Sequence, residues 1–142
     1  MKKISLLTCC MLISFSTMAC PDFAGIYRCA GSSNFSDLEV LQSGNTFILT
    51  TDGGTGDAII ADGITREIIN NDNTVVSEQH LCTAQKVIST RSLSFNAPDG
   101  STILMISETS ESEKVDDVLT YTTTTTFSDG GDDTRQITCI EL

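Results

Sequence analysis

The chain has 142 residues, 19 acidic against 8 basic, and a formal net charge of −11. That balance excludes a nucleic-acid or anionic-lipid surface as partner, because both carry the same sign. The longest apolar run, residues 4–15, is shorter than the roughly 20 residues a membrane helix needs, so no membrane span is expected.

The first elements in chain order belong to export. Lys2 and Lys3 precede the apolar run, and Thr17, Met18 and Ala19 form a small-residue exit. This is the layout of a signal peptide, with cleavage expected after Ala19. Residues 1–19 are thus read as the signal and 20–142 as a single domain. Losing Lys2 and Lys3 takes the net charge from −11 to −13. The expected location is periplasmic or secreted. The alternative is lipid anchoring through Cys20, because Thr17-Met18-Ala19-Cys20 resembles a lipoprotein cleavage site. It departs at Thr17, where such sites usually carry Leu.

The mature chain keeps four cysteines, Cys20, Cys29, Cys82 and Cys139. An even count after export reads as two disulfides. A metal site is not expected, since there is no Cys-x-x-Cys and His80 is the only histidine. No cofactor is called for.

After Pro21 the chain alternates turn residues with short runs rich in Val, Ile, Thr, Phe and Tyr. Strands are expected near 24–30, 37–42, 46–51, 57–61, 64–69, 74–82, 85–95, 101–110, 116–127 and 134–141. Gly, Asn and Asp clusters separate them, at 31–34, 43–44, 52–54, 62–63, 70–73, 98–100 and 128–131. Asp62-Gly63 reads as a two-residue hairpin. Phe23, Gly25, Tyr27 and Cys29 share one face of the first strand. Phe47, Leu49 and Thr51 share a face, as do Leu104 and Ile106. No stripe recurs at helical spacing.

Eight to ten strands joined by tight turns make an all-β, up-and-down antiparallel meander. Such a sheet tends to close into a barrel, since closure removes its free edges. A two-sheet β-sandwich is the alternative. In a closed meander with an even strand count, the first and last strands lie side by side and antiparallel. This argument pairs Cys20 with Cys139 and leaves Cys29 for Cys82.

Candidates for chemistry are sparse. His80 reads as a surface or barrel-rim residue. The turn aspartates, among them Asp52, Asp62, Asp99 and Asp129, read as turn formers rather than catalytic carboxylates. The loops at 51–57 and 128–134 do not match the spaced pattern of a calcium loop. The threonine run 122–126 suits a strand. No catalytic residue is assigned and no enzyme is expected.

The segment CPDFAGIYRC, residues 20–29, resembles the opening of the calycin barrels. Lipocalins open with Gly-x-Trp, and avidins with a cysteine, a short spacer and Gly-x-Trp. Gly25 and Tyr27 stand in those places. The start also resembles small exported bacterial proteins beginning Cys-Pro-x-x-x-Gly-x-Tyr. The resemblance implies that Tyr27 plugs the bottom of a barrel and that Gly25 lets the chain pass closely. Tyr stands in place of Trp, and avidin's other biotin-contacting aromatics have no counterparts here, so biotin binding is not implied.

The expected function is non-enzymatic binding of a small apolar molecule, lipid or peptide by a monomer. Tyr27, Phe47, Leu49, Leu104 and Ile106 are the expected lining. The alternative is a protein-binding module, an inhibitor or envelope factor, acting through its acidic loops.

Overall fold

The computed structural model describes residues 19–30, 36–71 and 73–142. The segment expected to be a signal peptide, apart from Ala19, and the loop expected at 31–34 lie outside the described residues. So does Asp72 of the turn expected at 70–73.

Eleven strands follow in chain order: β1 (Gly25–Ala30), β2 (Asp37–Ser43), β3 (Thr46–Thr51), β4 (Gly54–Thr55), β5 (Ile59–Ile60), β6 (Arg66–Asn70), β7 (Thr74–Cys82), β8 (Lys86–Asn96), β9 (Thr102–Val115), β10 (Val118–Phe127) and β11 (Asp132–Glu141). All pairings are antiparallel, in the order β4-β3-β2-β1-β11-β10-β9-β8-β7-β6. Turns fall at the expected 43–44, 98–100 and 128–131, whereas the β9–β10 turn at 116–117 lies where a strand was expected. Gly44, Gly100 and Gly130 hold positive φ, which glycine adopts without steric cost.

The first and last strands pair as the meander requires, Tyr27 facing Glu141 and Cys29 facing Cys139. That register corrects the expected disulfides. Cys29 bonds Cys139, and Cys20 bonds Cys82. The expected pairing placed the two termini correctly but not the register. Cys20 precedes β1 by several residues, so the chain carries it away from β11 and towards the end of β7.

The expected closed barrel is also corrected. The strand ladder is open, ending at β4 on one side and β6 on the other. A closed barrel needs strands of matched length and stagger. Here β4 and β5 have two residues each, whereas β8 and β9 have 11 and 14. Across the gap, β5 pairs with β3, Asp62 bridges to Leu81, and the Gly63 N–H reaches His80 O. The result is an open antiparallel sheet folded over, nearer the two-layer alternative.

The expected Asp62-Gly63 hairpin does not form. β5 pairs with β3, while β6 pairs with β7. Gly63 donates its N–H to His80 O at 2.8 Å, and Asp62 turns its carboxylate to Arg66 and the Ile64 N–H. The local chemistry suits a turn, but both flanking runs find longer partners elsewhere.

The core lies in the fold of the sheet. Phe23, Tyr27, Leu38, Val40, Phe47, Val87, Leu119 and Cys139 form one buried cluster. It joins β2 and β3 to β8 and β10, far apart in strand order, so the sheet must bend over to bring them together. Burial of these side chains supplies the main favourable term, roughly 1.5–3 kcal/mol for each large one.

Candidate functional site

The residues before β1 build the floor of a cavity. Tyr27, with no exposed surface, donates its hydroxyl proton to Phe23 O at 2.7 Å. Gln42, on the inner face of β2, accepts from the Phe23 N–H at 2.7 Å and donates to Pro21 O at 3.0 Å. The Cys20–Cys82 bridge holds the same segment to β7. Residues 20–23 are therefore strapped across one end of the folded sheet. Phe23 and Phe47 pack there as a tilted pair with ring centroids 6.1 Å apart.

Gly25 belongs to this floor. A Cβ at that position would lie 2.7 Å from Glu141 Oε1 and 3.2 Å from the Tyr27 ring. Lys114 spans the same corner, with Nζ 2.7 Å from Glu141 Oε2 and 5.4 Å from the Tyr27 ring centroid. Burial pushes the Tyr27 hydroxyl above its ordinary value, and the neighbouring ammonium opposes that shift. Lys114 is itself held above its usual range, first by its hydrogen bond with Glu141.

Above the floor is a cavity of about 490 Å³, within the range of small-molecule sites. Its apolar wall includes Val40, Phe47, Leu49, Val87, Leu119 and Ile137. Side chains alternate between the two faces of a strand, so the register of β7–β10 stacks successive rows on the inner face. One row brings together His80, Ser89, Ser110 and Thr123. The next brings together Glu78, Arg91, Glu108 and Thr125. A third carries Val76, Leu93, Ile106 and Phe127.

The first polar row is tightly hydrogen-bonded. His80 Nδ1 lies 2.7 Å from Ser89 Oγ. Tyr121 donates its hydroxyl proton to Ser110 Oγ at 2.9 Å, and Ser110 Oγ lies 3.0 Å from Thr123 Oγ1. Ser110 is buried, and these partners satisfy it. In the charged row, Arg91 Nε lies 3.5 Å from Glu78 Oε1, while His80 Nε2 lies 3.6 Å from Glu78 Oε2. Glu108 forms no ion pair among the described residues.

The string Ser89–His80–Glu78 has the residue types of nucleophilic catalysis. It lacks the setting. Ser89 lies within β8, between β7 and β9, with its residue paired to His80 on one side and Ser110 on the other. Its backbone belongs to those ladders and is not free to hold an oxyanion. What the arrangement can do is present hydroxyls, an imidazole and charges to one end of a molecule whose other end rests on apolar side chains.

The five residues expected as lining are placed differently. Phe47 and Leu49 stand on the cavity wall. Tyr27 lies beneath the floor rather than on the lining. Ile106 shares the cavity's face but stands one row beyond the charged groups, half-buried. Leu104 faces away and is 53% exposed. The reason is a β-bulge: Leu93 faces Ile106, but Ser94 faces Leu104, so Met105 is an extra residue and the alternation reverses. His80, expected at the surface, stands on the inner wall. The run Val76, Glu78, His80, Cys82 places it on the same face as a bonded cysteine, a signal that was present in the sequence.

The acidic turns are occupied locally. Asp52 accepts from the Ser36 N–H and hydroxyl, Asp99 from those of Ser101, and Asp129 from the Gly131 N–H. Outside the cavity, Thr124 and Thr134 pair across β10 and β11 at 3.2 Å. Among the described residues, no helix is long and apolar enough to cross a membrane.

The two disulfides fit an oxidising, exported environment. The Cys20 sulfur is bonded to Cys82. Comparison with known protein families, curated proteins and solved structures finds no match for this chain.

Proposed function

We propose that this protein is an exported, non-enzymatic binding protein, periplasmic or secreted and monomeric, whose cavity receives a small apolar molecule, lipid or peptide. The observation that carries the reading is the cavity of about 490 Å³, apolar at the floor and polar along one set of strands. An apolar body placed against those walls gains dispersion contacts and leaves water. Tyr27, buried at the floor beside Gly25, is where a calycin-like reading would put it, although the sheet is open.

The test uses N-phenyl-1-naphthylamine, a neutral apolar fluorophore, titrated against the oxidised mature protein. Saturable enhancement with one site per chain is expected. Leu49→Trp, which fills the cavity from β3, is expected to abolish it while leaving the urea midpoint within a few tenths molar. Absence of saturable binding to the wild type overturns the reading, as does unchanged binding to a folded Leu49→Trp protein.

A further inference from the structure

The apolar floor and walls select for an apolar body, but they do not say which head group the ligand carries. The rows above them do. On the cavity wall stand two carboxylates, Glu78 and Glu108, and one guanidinium, Arg91. Arg91 Nε lies 3.5 Å from Glu78 Oε1. Register places Glu108 opposite both Arg91 and Thr125. No cation lies within ion-pair distance of it among the described residues, and it is half-buried. The wall therefore carries one carboxylate beyond what its own cation neutralises.

The remaining polar groups do not reverse that sign. Ser89, Ser110 and Ser112 are neutral. Ser110 already accepts from Tyr121, and His80 Nδ1 is engaged with Ser89. The nearest further charges on this face, Asp133 and Arg135, pair with each other at 3.0 Å. Beyond the site, the mature surface carries a formal charge of −13, once Lys2 and Lys3 are removed from a total of −11. Both the local wall and the long-range field disfavour an anionic head group and favour a cationic one.

We propose that the cavity takes a single-chain amphiphile with a cationic nitrogen head, its alkyl body on Val40, Phe47, Leu49 and Leu119 and its head beside Glu108. This rests on the binding reading above and narrows it to one ligand class. Glu108 supplies the unneutralised charge, and Arg91, held by Glu78, stands between the ligand and a purely acidic wall. A carboxylate or phosphate head on the same chain would face Glu108 without a free cation to receive it.

The experiment displaces N-phenyl-1-naphthylamine from the oxidised protein with three dodecyl compounds: dodecyltrimethylammonium and dodecanoate below their micelle concentrations, and dodecanol below its solubility limit. Wild-type protein is expected to bind the ammonium about tenfold more tightly than dodecanoate at low ionic strength, with dodecanol between. Glu108→Gln is expected to remove most of that preference while leaving dodecanol unchanged. Dodecanoate binding as tightly as the ammonium overturns the proposal, while displacement by dodecanol leaves the binding reading standing. A preference that survives intact in Glu108→Gln also overturns it, since the surface charge alone then accounts for the order. If the fluorophore itself never binds, the binding reading falls and this proposal falls with it. Glu78→Gln is a second probe: freeing Arg91 is expected to shift selectivity towards dodecanoate.

Discussion

Cys29 and Cys139 stand directly opposite each other on β1 and β11, and their bond joins the first long strand of the meander to the last. The span between them is 110 residues, and that of Cys20 and Cys82 is 62. In the chain-entropy account, each cross-link removes freedom from the unfolded state on the order of 4–5 kcal/mol for loops of these lengths. Small domains have total stabilities of roughly 5–15 kcal/mol. Cys29→Ala with Cys139→Ala is therefore expected to shift the urea midpoint strongly downwards. Cys20→Ala with Cys82→Ala should cost slightly less stability but loosen the floor and weaken fluorophore binding. Non-reducing peptide mapping checks the connectivity itself. Recovery of Cys20 linked to Cys139 would contradict the register.

Tyr27→Phe isolates the floor's central hydrogen bond. The ring and its packing remain, but Phe23 O loses its donor in a buried place. The expected cost is about 1–2 kcal/mol by urea denaturation. A variant as stable as the wild type would show that the hydroxyl bond adds nothing net to the strap.

The same corner predicts alkaline sensitivity. Burial raises the folded Tyr27 hydroxyl above its ordinary 10.0, and the bond to Glu141 raises Lys114 above its ordinary 10.5. For each group the folded state holds its proton more tightly than the unfolded state does. Their contribution is fully present below about pH 10 and falls as the pH rises through the folded values. Stability measured between pH 9 and 11.5 is expected to decline, and the decline should be shallower in Tyr27→Phe and in Lys114→Met.

Much of this architecture was legible from residue order. Gly44, Gly100 and Gly130 mark turns because they hold positive φ, which other residues resist, and strands lie on either side of them. The antiparallel pairing of β1 with β11 was expected from an even strand count in a closed meander; the sheet is open with eleven strands, and the pairing holds because β4 and β5 both run antiparallel to β3. What failed depended on register. Cys20 is placed by where the strand ladder starts, which no local pattern encodes. Leu104 is turned outwards by one extra residue at Met105, a bulge with no composition signal. The rows of polar and charged groups on β7–β10 were hidden for the same reason: Glu78, Arg91 and Glu108 are scattered in sequence and meet only once three strands are aligned.

Asp62 predicts an acid-sensitive crossing. Its carboxyl is lowered to about 2, first by the hydrogen bond from Arg66 and then by the Ile64 N–H. The ordinary value is 3.8. A lowered folded value means that the contribution is present above about pH 4 and is lost as the pH falls towards 2. The pair is exposed, so the effect is local rather than global. The protection factor of the Gly63 N–H, which is bonded to His80 O, is expected to fall across that window. Asp62→Asn should show the lower protection already at pH 6. Identical Gly63 exchange in the two proteins would remove the carboxylate from the account of this bridge.

Gly25→Ala tests how tightly the first strand passes the floor. The added Cβ would meet Glu141 Oε1 at 2.7 Å and the Tyr27 ring at 3.2 Å. A free glutamate would swing away at little cost, but Glu141 is held by Lys114 at 2.7 Å, and the Tyr27 ring is fully buried. Something must give, either the ion pair or the ring's seat on Phe23. Overpacking of this kind typically destabilises by about 1–3 kcal/mol. The double variant Gly25→Ala with Glu141→Ala separates the two routes. If the carboxylate is the obstacle, the second substitution restores most of the lost stability. If the ring is the obstacle, stability stays low and the Tyr27 hydroxyl titrates closer to its ordinary value, read from tyrosinate absorbance.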